Sequence, residues 1–302
     1  MKIIKLKYPD VIENTKLSAA IGYFDGVHLA HRKLIENAVY KAKKHNFTSA
    51  IITFEPDPTS VLHPDVDYHY LSSFKDKCDI FQELGIELVI ALHFDKDFSC
   101  LSCDNFMNYL VKLNVKHLTC GFNFHFSEKG CGSAVDLQNF TGFKVTVIPE
   151  ITDISSTNII KLLNQGEIER CNDFLGRLHF IYGKVVKGLG NGHKMGFPTA
   201  NIDMDFPYVL PKQGVYLGKA EVFDKEYYAM INIGKNLTYF AEKATLEVHI
   251  ANFSKKITGK TIKVSFSKYL RPVKKFSSIE KLIEQLNKDR KQLAEFAKKN
   301  LK

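Results

Sequence analysis

The sequence predicts two folds in series: an α/β domain on a parallel sheet, then an antiparallel sheet or small barrel, with a terminal helix. Three observations carry this. Apolar runs and helical stretches alternate through residues 1 to about 150. From Phe180 onward, short β-rich runs follow one another with turn residues between them and no helix. The last stretch, 277–302, has the periodicity of an amphipathic helix.

The elements follow in order. Runs 16–24, 48–54, 87–92, 117–122 and 144–148 read as strands, and 29–45, 73–84, 104–113 and 133–140 as helices between them. In the first helix Leu34, Ile35, Ala38, Val39 and Ala42 form one apolar stripe. Strand–helix alternation at this spacing implies βαβ units and a sheet covered on both faces. A helical pair, 158–163 and 167–174, breaks at Gly166 before the pattern changes. The domain boundary is placed near Gly176, giving residues 1–176 and 177–302. In the second domain FIYGKVVKG, GVYLGKAEVF, EYYAMINIG, ATLEVHIANF and KTIKVSFSKYL are the strand candidates. The tail helix is expected to turn Ile279, Leu282, Ile283, Leu286, Leu293 and Phe296 inward and to leave its charges solvated.

Composition narrows the function classes. The chain has 302 residues, 45% hydrophobic and 25% charged, in the ordinary range of soluble globular proteins. No apolar run reaches bilayer length, and MKIIKLKYPDVIEN lacks a signal-peptide core, so the cytoplasm is the expected compartment. Six cysteines lie within the first 171 residues, and the Cys100–Cys103 pair has no second pair at zinc spacing. They read as free thiols. A net charge of +9 fits an anionic ligand. The lysines are spread rather than clustered outside the C-terminal quarter, so neither nucleic acid nor a membrane is expected as partner. A homo-oligomer is left open.

Six motifs carry chemistry. In GYFDGVHLAHRKL, Asp25-Gly26 is a turn, and His28 and His31 fall in the first turn of the helix after a strand. At i, i+3 they share a face where free N–H groups and the helix dipole favour phosphate; the alternative is an exposed surface pair. TFEPDP closes the next strand, and GFNFHFS sets Asn123 among aromatics. ISST opens a helix with hydroxyls that suit either a phosphate or a simple N-cap. GLGNGHKMGFPTAN is dense in glycine, which lets backbone amides approach phosphates. Its Thr199 and Asn201 offer two neutral oxygens, two residues apart, suited to Mg²⁺. Glu247 in LEVH alternates with apolar residues, so it faces solvent or serves as a general base.

Together these residues resemble one family. GYFDGVHLAH, the aromatic-asparagine stretch and ISST are similar to the adenylyltransferase module of the prokaryotic bifunctional riboflavin kinase/FAD synthetases. GKVVKG, GFPTANI, GVY, NIG and LEVHI are similar to their kinase module, in the family's order over nearly the whole chain. The resemblance implies a nucleotidyltransferase-like, Rossmann-type parallel-sheet domain and a C-terminal antiparallel β-barrel. It implies phosphorylation of riboflavin to FMN, then adenylylation of FMN to FAD with release of pyrophosphate, with ATP and Mg²⁺. On this reading Glu247 is the kinase base and Thr199 and Asn201 hold Mg²⁺. His28 and His31 stabilise charge at the α-phosphate. Phe24, Gly26, Asn123, Ser156, Thr157, Gly188, Gly190, Lys194 and Gly196 are implied in nucleotide binding, and Arg271 in flavin binding.

The sequence departs from the family pattern at Ala30, where the family has the glycine of H-x-G-H, and at Asp57, which replaces a histidine. Ser127 replaces a glycine, Leu237 a proline, and Ile160 an arginine whose fork suits phosphate. These departures keep two alternatives in view. One is a riboflavin kinase whose first domain is a scaffold or flavin-binding module. The other is a flavin-responsive regulator without turnover.

Overall fold

The structure, a computed structural model, describes residues 1–12, 15–188, 196–238 and 241–300, and of the described residues between 235 and 244 the backbone alone. It divides into two compact units, Met1–Ser156 and Thr157–Lys302.

The first unit runs β1 (Lys2–Leu6), β2 (Leu17–Ile21), α1 (Leu29–His45), β3 (Thr48–Glu55), α2 (Pro58–Leu62) and α3 (Phe74–Glu83). It continues through β4 (Leu88–His93), α4 (Lys96–Ser99), α5 (Cys103–Lys112), β5 (Val115–Gly121), β6 (His125–Phe126), β7 (Gly132–Ser133), α6 (Ala134–Asn139) and β8 (Lys144–Ile148). Six strands form one sheet in the order β1-β4-β3-β2-β5-β8, every pair parallel. The small side chains of LSAAI, all buried, make β2 the middle of the sheet and let α1 pack close, where Ser18 Oγ donates to the Ala38 carbonyl at 2.9 Å. The chain steps from β2 to β3 to β4 in one direction and then returns to lay β5 on the other side of β2. That reversal opens a crevice at the carboxyl ends of β2 and β5, where such sheets bind ligands.

The five strands and four helices expected here are present, with β8 and α1 spanning the expected residues. Strand β1 was not expected. It is a five-residue edge strand in which only Ile4 and Leu6 are partly buried, too short a face to leave a clear period.

The second unit opens with α7 (Ser156–Gln165), whose first residue is the last of the first unit, and α8 (Ile168–Leu175). Then come β9 (His179–Val186), β10 (Ala200–Asp203), β11 (Gly214–Val222), β12 (Lys225–Thr238), β13 (Ala241–Ile250), β14 (Thr261–Arg271) and α9 (Ile279–Lys299). The strands close into an antiparallel barrel in the order β10-β13-β12-β11-β14-β9. Its curvature brings backbones together: a Cβ on Gly218 would lie 2.0 Å from the Ser265 carbonyl oxygen, so only glycine fits. Both helices before the barrel are tied to it. Asn172 Nδ2 donates to the Phe266 carbonyl at 3.0 Å, and the Lys212 N–H donates to the Leu163 carbonyl at 2.8 Å.

Helix α9 packs Leu286, Leu293 and Phe296 near Val215, Leu217 and Met230. Ile279 corrects the expectation: it is 64% exposed, because the first turn projects beyond the apolar seat. The inward face instead contains Asp289, fully buried, paired with Arg271 at the end of β14. Arg271 Nη2 reaches Asp289 Oδ2 at 2.6 Å and Nε donates to both oxygens at 3.1 Å, while Gln285 Nε2 adds a donor at 2.8 Å. Removing one partner leaves a buried charge unpaired. Asp289→Ala is expected to destabilise this unit by about 3–5 kcal/mol in urea unfolding, and Arg271→Met with Asp289→Leu to recover most of it.

Candidate active sites

The crevice of the parallel sheet is built by a strained strand-to-helix turn. After β2 the chain takes left-handed φ at Phe24 (60°), Gly26 (75°) and Val27 (40°) before α1 begins. Tertiary contacts hold it there. The Asp25 carboxylate accepts from the Leu71 and Ser72 N–H groups at 3.1 Å, and the Gly26 N–H donates to Ser72 Oγ at 2.8 Å. Phe24 is buried, its ring edge-on to His31 at 5.2 Å and to Phe81 at 5.6 Å, so it props the site from below. Ser156 Oγ donates to the Asp25 carbonyl at 2.9 Å, tying the ISST segment to the same turn.

His28 and His31 are brought together as a stack, ring centres 3.7 Å apart and planes 15° from parallel. His28 is the N-cap of α1: its Nδ1 accepts from the His31 N–H at 3.3 Å, so its own proton sits on Nε2. Burial, then His28, then the Lys77 ammonium hold the His31 imidazole well below its usual value. Two stacked imidazoles here are neutral hydrogen-bond donors rather than cations. His31 Nδ1 is buried without a hydrogen-bond partner among the described residues.

Other expected residues stand around this turn less closely. Asn123 lies in the tight turn after β5, exposed, with its Oδ1 folded back over Gly121. Thr157 is exposed and Ile160 half-buried on α7. Asp57 caps α2 by accepting from the Thr59 N–H at 3.2 Å.

In the barrel, β10 (Ala200–Asp203), absent from the strand candidates, begins at the last two residues of the GFPTAN motif. Register sets Asn201 directly opposite Glu247 on β13, and Glu247 opposite Asn232 on β12. Leu246, Val248 and Ile250 are buried, so Glu247 and His249 between them face the other side of the strand. Thr199 lies just before β10 and is exposed. The result is a polar row, Asn201–Glu247–Asn232, across three strands. Gly188 has a steric reason: a Cβ there would lie 1.9 Å from Asn201 Nδ2, so the amide lies on bare backbone. His249 Nδ1 donates to the Pro198 carbonyl at 2.9 Å and pins the loop before β10. Gly196 takes left-handed φ of 76°. Gly190 and Lys194 lie outside the described residues. The Arg271 guanidinium, expected to meet flavin, is engaged by Asp289 and by the Pro272 carbonyl, to which Nη1 donates at 3.1 Å.

Sequence reasoning missed Lys77, Ser72 and Asn232. Lys77 was visible in principle, as a lysine on the apolar stripe of α3. The other two are named only by tertiary pairing.

Comparison with known proteins gives a family for each part of the chain. The FAD synthetase family model matches residues 11–160, and the riboflavin kinase family model matches 175–297. The bifunctional riboflavin kinase/FMN adenylyltransferase of Listeria monocytogenes is 36% identical over 96% of each chain. The protein of that name from Bacillus subtilis is 34% identical over 97% of each. A crystal structure named as a macrolide-efflux protein from Streptococcus pneumoniae superimposes with a TM-score of 0.89 at 30% identity, covering 96% of this chain and 98% of that one. Among the described residues, no helix is long and apolar enough to cross a membrane. With both family models matched in order and relatives aligned nearly end to end, this chain belongs to the family of bifunctional riboflavin kinase/FMN adenylyltransferases.

Proposed function

We propose that the barrel unit transfers the γ-phosphate of ATP to the ribityl hydroxyl of riboflavin. The parallel-sheet unit then joins FMN to the AMP moiety of ATP and releases pyrophosphate. The carrying observation is that each unit has its own assembled site: a polar row on the barrel and a stacked imidazole pair at a switch point. The family matches over both units favour this over a kinase-only chain.

In the barrel, Glu247 accepts the proton as the riboflavin hydroxyl attacks the γ-phosphorus. Asn201 and Asn232 flank Glu247 and fix its side chain. The donor chemistry suits Mg²⁺: Thr199 and Asn201 supply hard neutral oxygens, leaving remaining positions for phosphates and water. When bound, Mg²⁺ neutralises phosphate charge. Gly188 and Gly196 admit the nucleotide's phosphates close to the backbone. In the crevice, His28 donates through Nε2–H to the α-phosphate oxygens as charge builds there, assisted by the positive end of α1. Asn123 and Ser156 bound the nucleotide side. We place the chain in the cytoplasm, where its free thiols stay reduced.

The test is product analysis by chromatography after incubation with riboflavin, ATP and Mg²⁺. FMN and FAD together are expected. FMN alone would restore the kinase-only reading, and neither product would leave a flavin-responsive regulator.

A further inference from the structure

Lys77 fills a position that the periodicity of α3 assigns to an apolar residue. Phe74, Lys77 and Phe81 share one helix face, and Lys77 is only 2% exposed. Leucine or methionine would fill that space without desolvating a charge, so the ammonium needs a reason to be there. Its Nζ donates to the Tyr23 carbonyl oxygen at 2.9 Å and lies 3.8 Å from the centre of the Tyr23 ring. Thr53 Oγ1 donates to the same carbonyl at 3.3 Å. Tyr23 is the residue before left-handed Phe24, so this peptide is the root of the turn that delivers both histidines. Among the described residues no carboxylate forms a contact ion pair with Lys77. Asp25, Asp57 and Glu55 face it from farther away, and His31 feels its charge.

We propose that Lys77 is a positioning residue of the FMN-adenylylation site: its ammonium clamps the Tyr23 carbonyl beneath the histidine turn and sets a positive charge beside the histidine pair. This rests on the function proposed above for the first unit. Neutrality matters for turnover. A neutral donor gains strength as charge develops on the α-phosphate, whereas an imidazolium would hold ground-state ATP and product pyrophosphate as tightly as the transition state. Below about pH 8 Lys77 supplies a cation without placing it on the reacting phosphate.

The groups facing the ammonium set its range. Burial pushes Lys77 down to about 8, against the carboxylates of Asp25, Asp57 and Glu55 and the Cys78 thiol, which favour the charged form. As pH rises through that value the ammonium loses its proton, the clamp weakens, and FAD formation falls.

The test uses the full chain with Lys77→Met and Lys77→Arg. It follows FAD formation from FMN and ATP, the pH profile, and the imidazole titration of His31 by NMR, with FMN formation as folding control. Lys77→Met is expected to lower kcat for FAD formation about tenfold or more, with KM for ATP changed less than about threefold. Its alkaline limb disappears, the His31 titration moves up, and FMN formation is unchanged. Lys77→Arg is expected to keep more of the activity and to lose the alkaline fall, because arginine stays charged. Unchanged FAD formation in Lys77→Met overturns the proposal. So does lost FAD formation with the His31 titration unmoved, since that marks packing alone. If the unmodified chain forms no FAD, the adenylylation reading fails, and the His31 titration still decides on Lys77: unmoved, the proposal falls; moved, its electrostatic half stands.

Discussion

Glu247→Gln is expected to lower FMN formation about a thousandfold while leaving ATP affinity, by calorimetry, within about threefold. Glutamine keeps the size of the side chain and leaves the backbone register of Asn201 and Asn232 against β13 unchanged. It cannot accept the hydroxyl proton. Because the barrel and the parallel sheet are separate compact units, FAD formation from supplied FMN is expected to stay at the parent rate. Full kcat in this variant would remove Glu247 from the role of base.

His28→Ala is expected to reduce FAD formation by about a hundredfold to a thousandfold, with FMN formation unchanged. The change deletes the Nε2–H donor, the stacking partner of His31 and the cap of α1 together. The cap alone is worth about 1 kcal/mol. His28→Asn separates these effects. Its side-chain oxygen can cap α1 and restore thermal stability, but it does not place a donor where Nε2 stands. Stability recovered without activity assigns the loss to chemistry, whereas FAD formation near the parent rate in His28→Ala would release the histidine from it.

The two domains were legible to different depths. Helix α1 is announced by a turn at one end and a continuous apolar stripe, so its limits follow from local signals. Strand β10 is four residues between glycine-rich and proline-rich loops, too short for a period, and it exists because β9 and β13 pair with both its edges. Asp289 reads as one more solvated charge on α9. Its partner, Arg271, is eighteen residues earlier in a strand, and only the barrel's closure brings them together. The site shows the same division. The spacing of His28 and His31 forecasts a shared face, but the burial and the Lys77 charge that hold His31 below its usual value come from residues distant in sequence.

The closing of one sheet and the openness of the other bear on how the chain fails under stress. Every strand of the barrel has neighbours on both sides, so it presents no free row of N–H and C=O groups for another chain to extend. The parallel sheet ends at β1 and β8. Lys2 and Lys5 guard β1 with like charge, whereas β8 reads Lys-Val-Thr-Val-Ile, a β-branched segment with one charge at its first position. Edge-to-edge aggregation on heating is therefore expected to start from β8 rather than from β1 or the barrel.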